Sequence, residues 1–292
     1  MDLSSKQTIK TLFKEHNIKP LKRFGQNFLV DRSVLKKIIN AAELSSRDII
    51  FEIGSGMGIL TIELAKRVKQ VIAVEKDRKM CEILQEILDA RNIRNVRIVN
   101  KDILKIENWK FTENWKLEID NYKVVANLPY YITSLVIRKF LEAKNPPKLI
   151  VLMVQKEVAQ RICAKPPHMN LLAVAVQFYA SPPHQKFGSG GKPEIISYVS
   201  KKSFWPKPKV DSAIIKIVPQ KTPKIDTEKF FKLVKKGFSA KRKMLINNLS
   251  RELKIENYKL KIVFDQVGLG QKLRAENLSV DDWLKLYEEI QK

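Results

Sequence analysis

Between about Asp48 and Pro219 the chain alternates short apolar runs rich in β-branched residues with stretches whose apolar positions return every three or four residues. The runs fit strands buried on both faces and the longer periods fit helices lying on a sheet, so the alternation predicts a mostly parallel sheet covered by helices. Six strands are expected: "IIFEI" (49–53), "VIAVE" (71–75), "VRIVN" (96–100), "KVVAN" (123–127), "LIVLMV" (149–154) and "AIIKIV" (213–218). Between them Leu60, Leu64 and Val68 mark one helical face, Met80, Ile83, Leu84 and Ile87 a second, and Leu135, Val136, Lys139 and Phe140 a third. Ahead of the first strand, Asp31 is placed to cap a helix whose Val34, Leu35, Ile38, Ile39 and Ala42 share one side.

Beyond Pro219 the pattern changes. "QKTPKID" reads as a linker, and the residues after it carry helical periods without a strand. The expected layout is an α/β domain over residues 1–219 followed by a smaller, all-helical domain over residues 220–292. "SPPHQKFGSGGKPE", Ser181 to Glu194, is rich in Pro and Gly, has no period, and is expected to be a loop.

Charge narrows the partners. The chain has 55 Lys and Arg against 31 Asp and Glu, a net +24, and a field of that size favours nucleic acid. The longest apolar runs, Leu149 to Val154 and Leu171 to Val176, are too short to cross a bilayer, and no segment pairs a basic face with a Trp/Phe/Leu face. The amino terminus carries lysines but no apolar run of the signal-peptide kind, so a cytoplasmic location is expected. Cys81 and Cys163 sit in apolar-periodic segments, outside any metal or redox spacing; neither a disulfide nor a metal site is expected.

The candidate chemistry lies at strand ends. "FEIGSGMGILT" puts Gly54, Gly56 and Gly58 after a strand and before a helix, where absent β-carbons let a ligand approach the backbone. Such a loop can serve a dinucleotide, a nucleoside, or only a tight turn. Glu75 ends the next strand, 21 residues beyond Gly54, where an acid can take both hydroxyls of a ribose; Asp102 follows the strand after that, placed to accept from an adenine amino group with Ile103 against the ring. Taken singly, Asp102 reads more readily as a helix cap or solvated turn residue; taken in order, the three strand ends outline a nucleoside crevice. A hydride carrier needs a nicotinamide site and an acid or base, yet His16, His168 and His184 all lie away from the strand ends. S-adenosylmethionine needs only its adenosine, its methionine tail and an aligned acceptor.

"NLPY" (127–130) can align one. An exocyclic amine on a base is a poor nucleophile because its lone pair is delocalised into the ring. Accepted hydrogen bonds to the Asn127 carboxamide oxygen and to the carbonyl of Leu128 or Pro129 would hold that amine and favour tetrahedral character as it attacks a methyl group. No general base is required before transfer. Tyr130 would stack on the extruded base.

With these motifs in place the chain resembles the ribosomal RNA adenine dimethyltransferases of the small-subunit type, which are Rossmann-like class I methyltransferases. The resemblance covers nearly the whole chain and is carried by "KRFGQNFLVD" (22–31), "VEKDR" (74–78), "NLPYYITS" (127–134), "MVQKEVAQRI" (153–162), "FWPKPKVDSAI" (204–214), "KRKMLINNL" (241–249) and "RAENLS" (274–279), in the family's order. It implies dimethylation, from S-adenosylmethionine, of N6 of two adjacent adenosines in the 3′-terminal hairpin of small-subunit ribosomal RNA. It implies cofactor contacts from Asn27, Leu29, Gly54, Glu75, Asp102 and Asn127, and a clamp in which Phe204 is the second ring beside Tyr130. Lys22, Arg23, Arg242 and Lys243 are then expected to touch phosphates, with residues 220–292 docking the RNA of an immature small subunit. A monomer without membrane contact is expected. Two alternatives stand beside this reading. Large-subunit methylases that confer antibiotic resistance typically carry Ile where this chain has Leu128, and lack the "RAENLS" ending. A ribosome-assembly or transcription factor that kept the fold and lost the chemistry should show an eroded glycine loop or NLPY, and both are intact. The span from Gln177 to Phe204 is longer than the family usually shows, which bears on RNA positioning and not on methyl transfer.

Overall fold

The protein is described from a computed structural model, which covers residues 2–21, 24–106, 122–180, 192–220 and 224–292. In chain order the helices and strands are α1 (Lys6–Glu15), β1 (Phe28–Leu29), α2 (Arg32–Ala41), β2 (Ile49–Ile53), α3 (Ile59–Ala65), β3 (Gln70–Glu75), α4 (Arg78–Ala90), β4 (Val96–Asn100), β5 (Tyr122–Asn127), α5 (Thr133–Leu141), β6 (Leu149–Gln155) and α6 (Lys156–Ile162). They continue with α7 (Leu171–Ala180), β7 (Glu194–Val199), β8 (Phe204–Trp205), β9 (Ser212–Ile217), α8 (Thr227–Gly237), α9 (Leu245–Leu253), α10 (Asn257–Gln266) and α11 (Val280–Ile290). The chain divides into two compact units, Met1–Ala159 with Glu194–Pro219, and Gln160–Pro193 with Gln220–Lys292.

The first unit is a mixed α/β unit built on a sheet ordered β4-β3-β2-β5-β6-β9-β7. The five strands from β4 to β6 are parallel, and β9 and β7 add antiparallel. All six expected strands form, nearly at their expected limits. β2 and β6 are buried along almost their whole length, as continuous apolar runs demand of strands covered on both faces, whereas β4 at the sheet edge is partly exposed. Asp31 caps α2 by accepting from the amides of Ser33 and Val34, and the expected apolar face of α2 is buried.

Two expectations about the first unit are corrected. β7 went unforeseen, because "EIISYV" directly follows the Pro/Gly stretch and only every second residue is shielded; Glu194 therefore begins a strand and not the end of a loop. Residues 181–191 of that expected loop lie outside the described residues. In α5 the buried face is Thr133, Val136, Ile137, Phe140 and Leu141, and Leu135, assigned to the apolar face from sequence, is 55% exposed.

The second unit is helical throughout its described residues. It also contains α7, which the sequence reading left with the sheet. α7 is apolar on nearly every side, the mark of a helix enclosed by others. Its Phe178 stacks on Phe230 of α8 at 4.8 Å between ring centroids, and Tyr287 of α11 meets Phe230 edge-on at 5.7 Å.

Candidate active site

Parallel register brings the carboxyl ends of β2, β3, β4 and β5 to one edge of the sheet: Ile53 lies opposite Val74, Glu75 opposite Asn100, and Glu52 opposite Val125 two residues before Asn127. An open cleft of about 1170 Å³ runs along this edge. It is lined by Asn27, Leu29, Gly54, Glu75, Asp102, Asn127, Leu128, Pro129 and Tyr130, so nine of the residues singled out from sequence share one cavity.

The glycine loop is held in left-handed backbone, with φ of +71° at Gly54 and +90° at Gly58. A β-carbon on Gly58 would lie 2.3 Å from Leu84 Cδ1, so the turn into α3 admits no side chain there. Glu75 is tied to this loop. Its Oε2 accepts from the Gly56 amide at 3.0 Å and its Oε1 from the Asp77 amide at 2.8 Å. Burial raises the Glu75 pKa against the pull of those two amides, yet each oxygen retains a lone pair for a ligand hydroxyl. Asp102 accepts from the Leu104 amide at 3.0 Å and from Lys76 Nζ at 2.8 Å. Burial alone would raise its pKa, but these donors, led by Lys76, hold it below the usual carboxylate range. The Lys76 ammonium also lies 5.6 Å from the centre of the Phe24 ring.

On the facing side, Asn127 donates from Nδ2 to the Asn27 carbonyl at 3.2 Å, while Asn27 donates from its own Nδ2 to the Gly25 carbonyl at 3.0 Å. The amide orientation of Asn127 is thus fixed by the amino-terminal segment, and Oδ1 is the atom left to accept. The Pro129 carbonyl already accepts from the Ile132 amide at 3.2 Å. Tyr130 is half-buried, its hydroxyl 2.7 Å from Ser212 Oγ on β9, and burial pushes its pKa up.

One site residue escaped the sequence reading. Glu52, fourth residue of β2, is 1% exposed, lines the cleft, and has no hydrogen-bond partner for Oε2 among the described residues. Burial, reinforced by the charge of Glu75 and opposed by the hydroxyl and amide of Thr61, pushes its pKa up to about 8. The Ser55 hydroxyl, on the same cleft, also lacks a partner. A carboxylate in the otherwise apolar run "IIFEI", just before a glycine loop, was the available signal: a central strand has no structural use for an unpaired acid.

Phe204 is not brought to the cleft. β1 and β8 form an antiparallel ladder with Leu29 opposite Phe204, and the Phe204 ring, 2% exposed, is buried in the core cluster that includes Leu29, Val34, Leu35 and Ile38. The pairing that makes β1 thus consumes the ring expected in the clamp. Arg242 and Lys243 are exposed in the turn before α9, in the other unit. Lys22 and Arg23 lie outside the described residues.

The family model described as "Ribosomal RNA adenine dimethylase" matches residues 17–292. The chain belongs to the ribosomal RNA adenine dimethylase family. Among curated members of that family named "Ribosomal RNA small subunit methyltransferase A", the protein of Dehalococcoides mccartyi strain BAV1 is 42% identical over 95% of this chain and 90% of its own length. That of Alkaliphilus oremlandii is 38% identical over 96% of this chain and 95% of its own. Among solved structures, a dimethyladenosine transferase from Plasmodium falciparum superposes with a TM-score of 0.74 at 27% identity, covering 90% of this chain and 97% of that one. The 23S rRNA methyltransferase ErmE gives 0.71 at 26%, covering 91% and 100%. The dimethylase fold is therefore shared with large-subunit enzymes, while these curated small-subunit relatives match at markedly higher identity.

Proposed function

We propose that this protein transfers methyl groups from S-adenosylmethionine to N6 of two adjacent adenosines in the 3′-terminal hairpin of small-subunit ribosomal RNA, dimethylating each. The observation that carries the reading is the cleft: a glycine loop, two ligand-ready acids and an orphaned buried acid face a fixed carboxamide and a tyrosine across one sheet edge. When bound, S-adenosylmethionine supplies an electrophilic methyl group on a sulfonium. Glu75 would take the ribose hydroxyls, Asp102 the adenine amino group, Asn27 and Leu29 the flank, and Gly54 the close backbone approach. Glu52 and Ser55 fit the amino-acid tail, because an α-ammonium is the kind of donor their unpartnered oxygens lack.

Asn127 Oδ1 and the Leu128 carbonyl are the acceptors for the target amine, the Pro129 carbonyl being engaged in its own turn. Their alignment is most fully realised in the transition state, and after transfer the substituted amine is acidic enough to release its proton to water. Tyr130, tethered through Ser212, stacks on the extruded base. Residues 220–292 serve as the RNA-docking domain, with Arg242 and Lys243 on phosphates, and Lys22 and Arg23 serve similarly. The setting is an immature small subunit in the cytoplasm, engaged by a monomer.

The test incubates purified protein, labelled S-adenosylmethionine and immature small subunits, then digests the RNA to nucleosides. Labelled dimethyladenosine is expected. Glu75→Ala should weaken cofactor binding about tenfold to a hundredfold, the loss of a charge-assisted bond, whereas Asn127→Ala should slow transfer with cofactor affinity nearly intact. No labelled adenosine from the parent protein, with cofactor and subunits both bound, would assign the chain to assembly without chemistry.

A further inference from the structure

Two tyrosines follow one another at the acceptor side of the cleft, and they are placed differently. Pro129, with φ of −57° and ψ of 128°, leads into a single 3-10 turn over Tyr130–Ile132. That turn sends Tyr130 inward to Ser212 and Ile132 into the core, and leaves Tyr131 59% exposed while still lining the cleft. Gly25, at φ of +62°, lies on the same cleft, and a β-carbon added to it would come within ordinary contact distance, 3.8 Å, of Tyr131 Cδ1. One turn further on, Leu135 is 55% exposed, so the apolar surface extends outward from the cleft along α5.

Removing a base from its stack exposes a face of the base beside it. The cost of extrusion is a few kcal/mol, and part of it is that neighbour's lost stacking. A flat ring, already exposed on the cleft and one residue from the ring that holds the extruded base, can replace the lost partner.

We propose that Tyr131 is the stacking platform for the nucleotide that flanks the extruded adenosine, a positioning residue for the RNA and not a cofactor contact. The proposal rests on the methyl-transfer reading above. Its mechanism is replacement stacking: Tyr130 receives the base that leaves the helix, and Tyr131 covers the face left open. Stacking on an aromatic side chain tolerates any base, so the contact supports extrusion wherever the target's neighbour is a purine or a pyrimidine.

The experiment compares the parent with Tyr131→Ala and Tyr131→Phe on small subunits reconstituted with intact RNA, and with RNA made abasic at either nucleotide next to the scored adenosine. On intact RNA, Tyr131→Ala should lower kcat/KM for RNA about tenfold, with affinity for S-adenosylhomocysteine unchanged, and Tyr131→Phe should match the parent. On one of the two abasic RNAs the parent should fall to the level of Tyr131→Ala, so that the two proteins converge. The proposal is overturned if Tyr131→Ala equals the parent on intact RNA, if its deficit persists undiminished on both abasic RNAs, or if Tyr131→Phe is as impaired as Tyr131→Ala. A parent that methylates no RNA would overturn the methyl-transfer reading itself, and the platform with it.

Discussion

Asp48 and Glu52 lie at opposite ends of the same strand, both buried, and only one of them is satisfied. Asp48, at the amino edge of the sheet, accepts from Lys123 Nζ at 2.9 Å and from the Ser45 amide at 2.6 Å; Lys123 also donates to the carbonyls of Ala42 and Glu43, which end α2. Glu52, at the carboxyl edge, has an orphaned Oε2 and a pKa of about 8. The same chemical group is a fastener at one end of β2 and an unmet demand at the other. Folding has little reason to tolerate the second, since burying an acid with one oxygen unpartnered is unfavourable, so its presence points to a ligand that completes it.

Breaking the satisfied end should give the largest effect. Lys123→Met leaves the Asp48 carboxylate buried without its cation, and the carbonyls that end α2 lose a donor. Loss of one partner of a buried pair costs about 3–5 kcal/mol, and the slight exposure of this pair favours the lower figure. Denaturant unfolding should show the loss, while affinity for S-adenosylhomocysteine, measured well below the melting temperature, should stay within a factor of two. A large drop in affinity would mean that the two ends of β2 are coupled and the contrast between them is false.

Relieving the unsatisfied end should act in the opposite direction and by less. The folded pKa of Glu52 lies above its unfolded value, so between about pH 4.5 and 8 the folded protein holds one proton more than the unfolded chain. The stability Glu52 contributes is therefore complete below this window and is lost as pH rises through it. Glu52→Gln removes the titration: stability at about pH 6.5 should rise by roughly 2–3 kcal/mol, with little change near pH 4.5, and the decline of melting temperature across the window should flatten. An unchanged pH profile would mean that Glu52 is already ionised and paired in the folded protein.

The contrast also explains what the sequence discloses and what it hides. Continuous apolar runs specify buried parallel strands whatever their neighbours, and strand-end residues reach the carboxyl edge by register alone; Gly54, Glu75, Asp102 and Asn127 were legible for that reason. Glu52 is easily passed over, because it sits inside a run whose apolar character sets the assignment, although an acid in such a run is itself a signal, which its orphaned oxygen makes plain. Phe204 fails in the converse way: the resemblance carried by the FWPKP motif implies a clamp ring, but the ladder with Leu29 turns it into the core. α7 was misassigned because an all-round apolar helix carries no information about which unit encloses it. Tyr130 and Tyr131 are chemically identical in sequence, and only the 3-10 turn separates the tethered ring from the open one.

The smallest effect is the one that shows whether the orphaned acid meets the cofactor. Below pH 7 the α-amino group of free S-adenosylhomocysteine is protonated, and a neutral Glu52 must give up its proton to pair with it. If binding requires the ionised form, affinity should strengthen roughly tenfold from pH 6 to pH 7, the limiting slope for a group that titrates near pH 8, and level off beyond it. Calorimetry in buffers of different ionisation enthalpy should register about one proton released per cofactor bound. Glu75 is also raised by burial and adjoins the ribose position, so it is the other source of such a slope. Glu52→Gln separates them: the slope should vanish and the affinity at pH 7 should fall. A slope that survives in Glu52→Gln belongs to Glu75, and Glu52 then faces a part of the cleft that the α-ammonium does not reach.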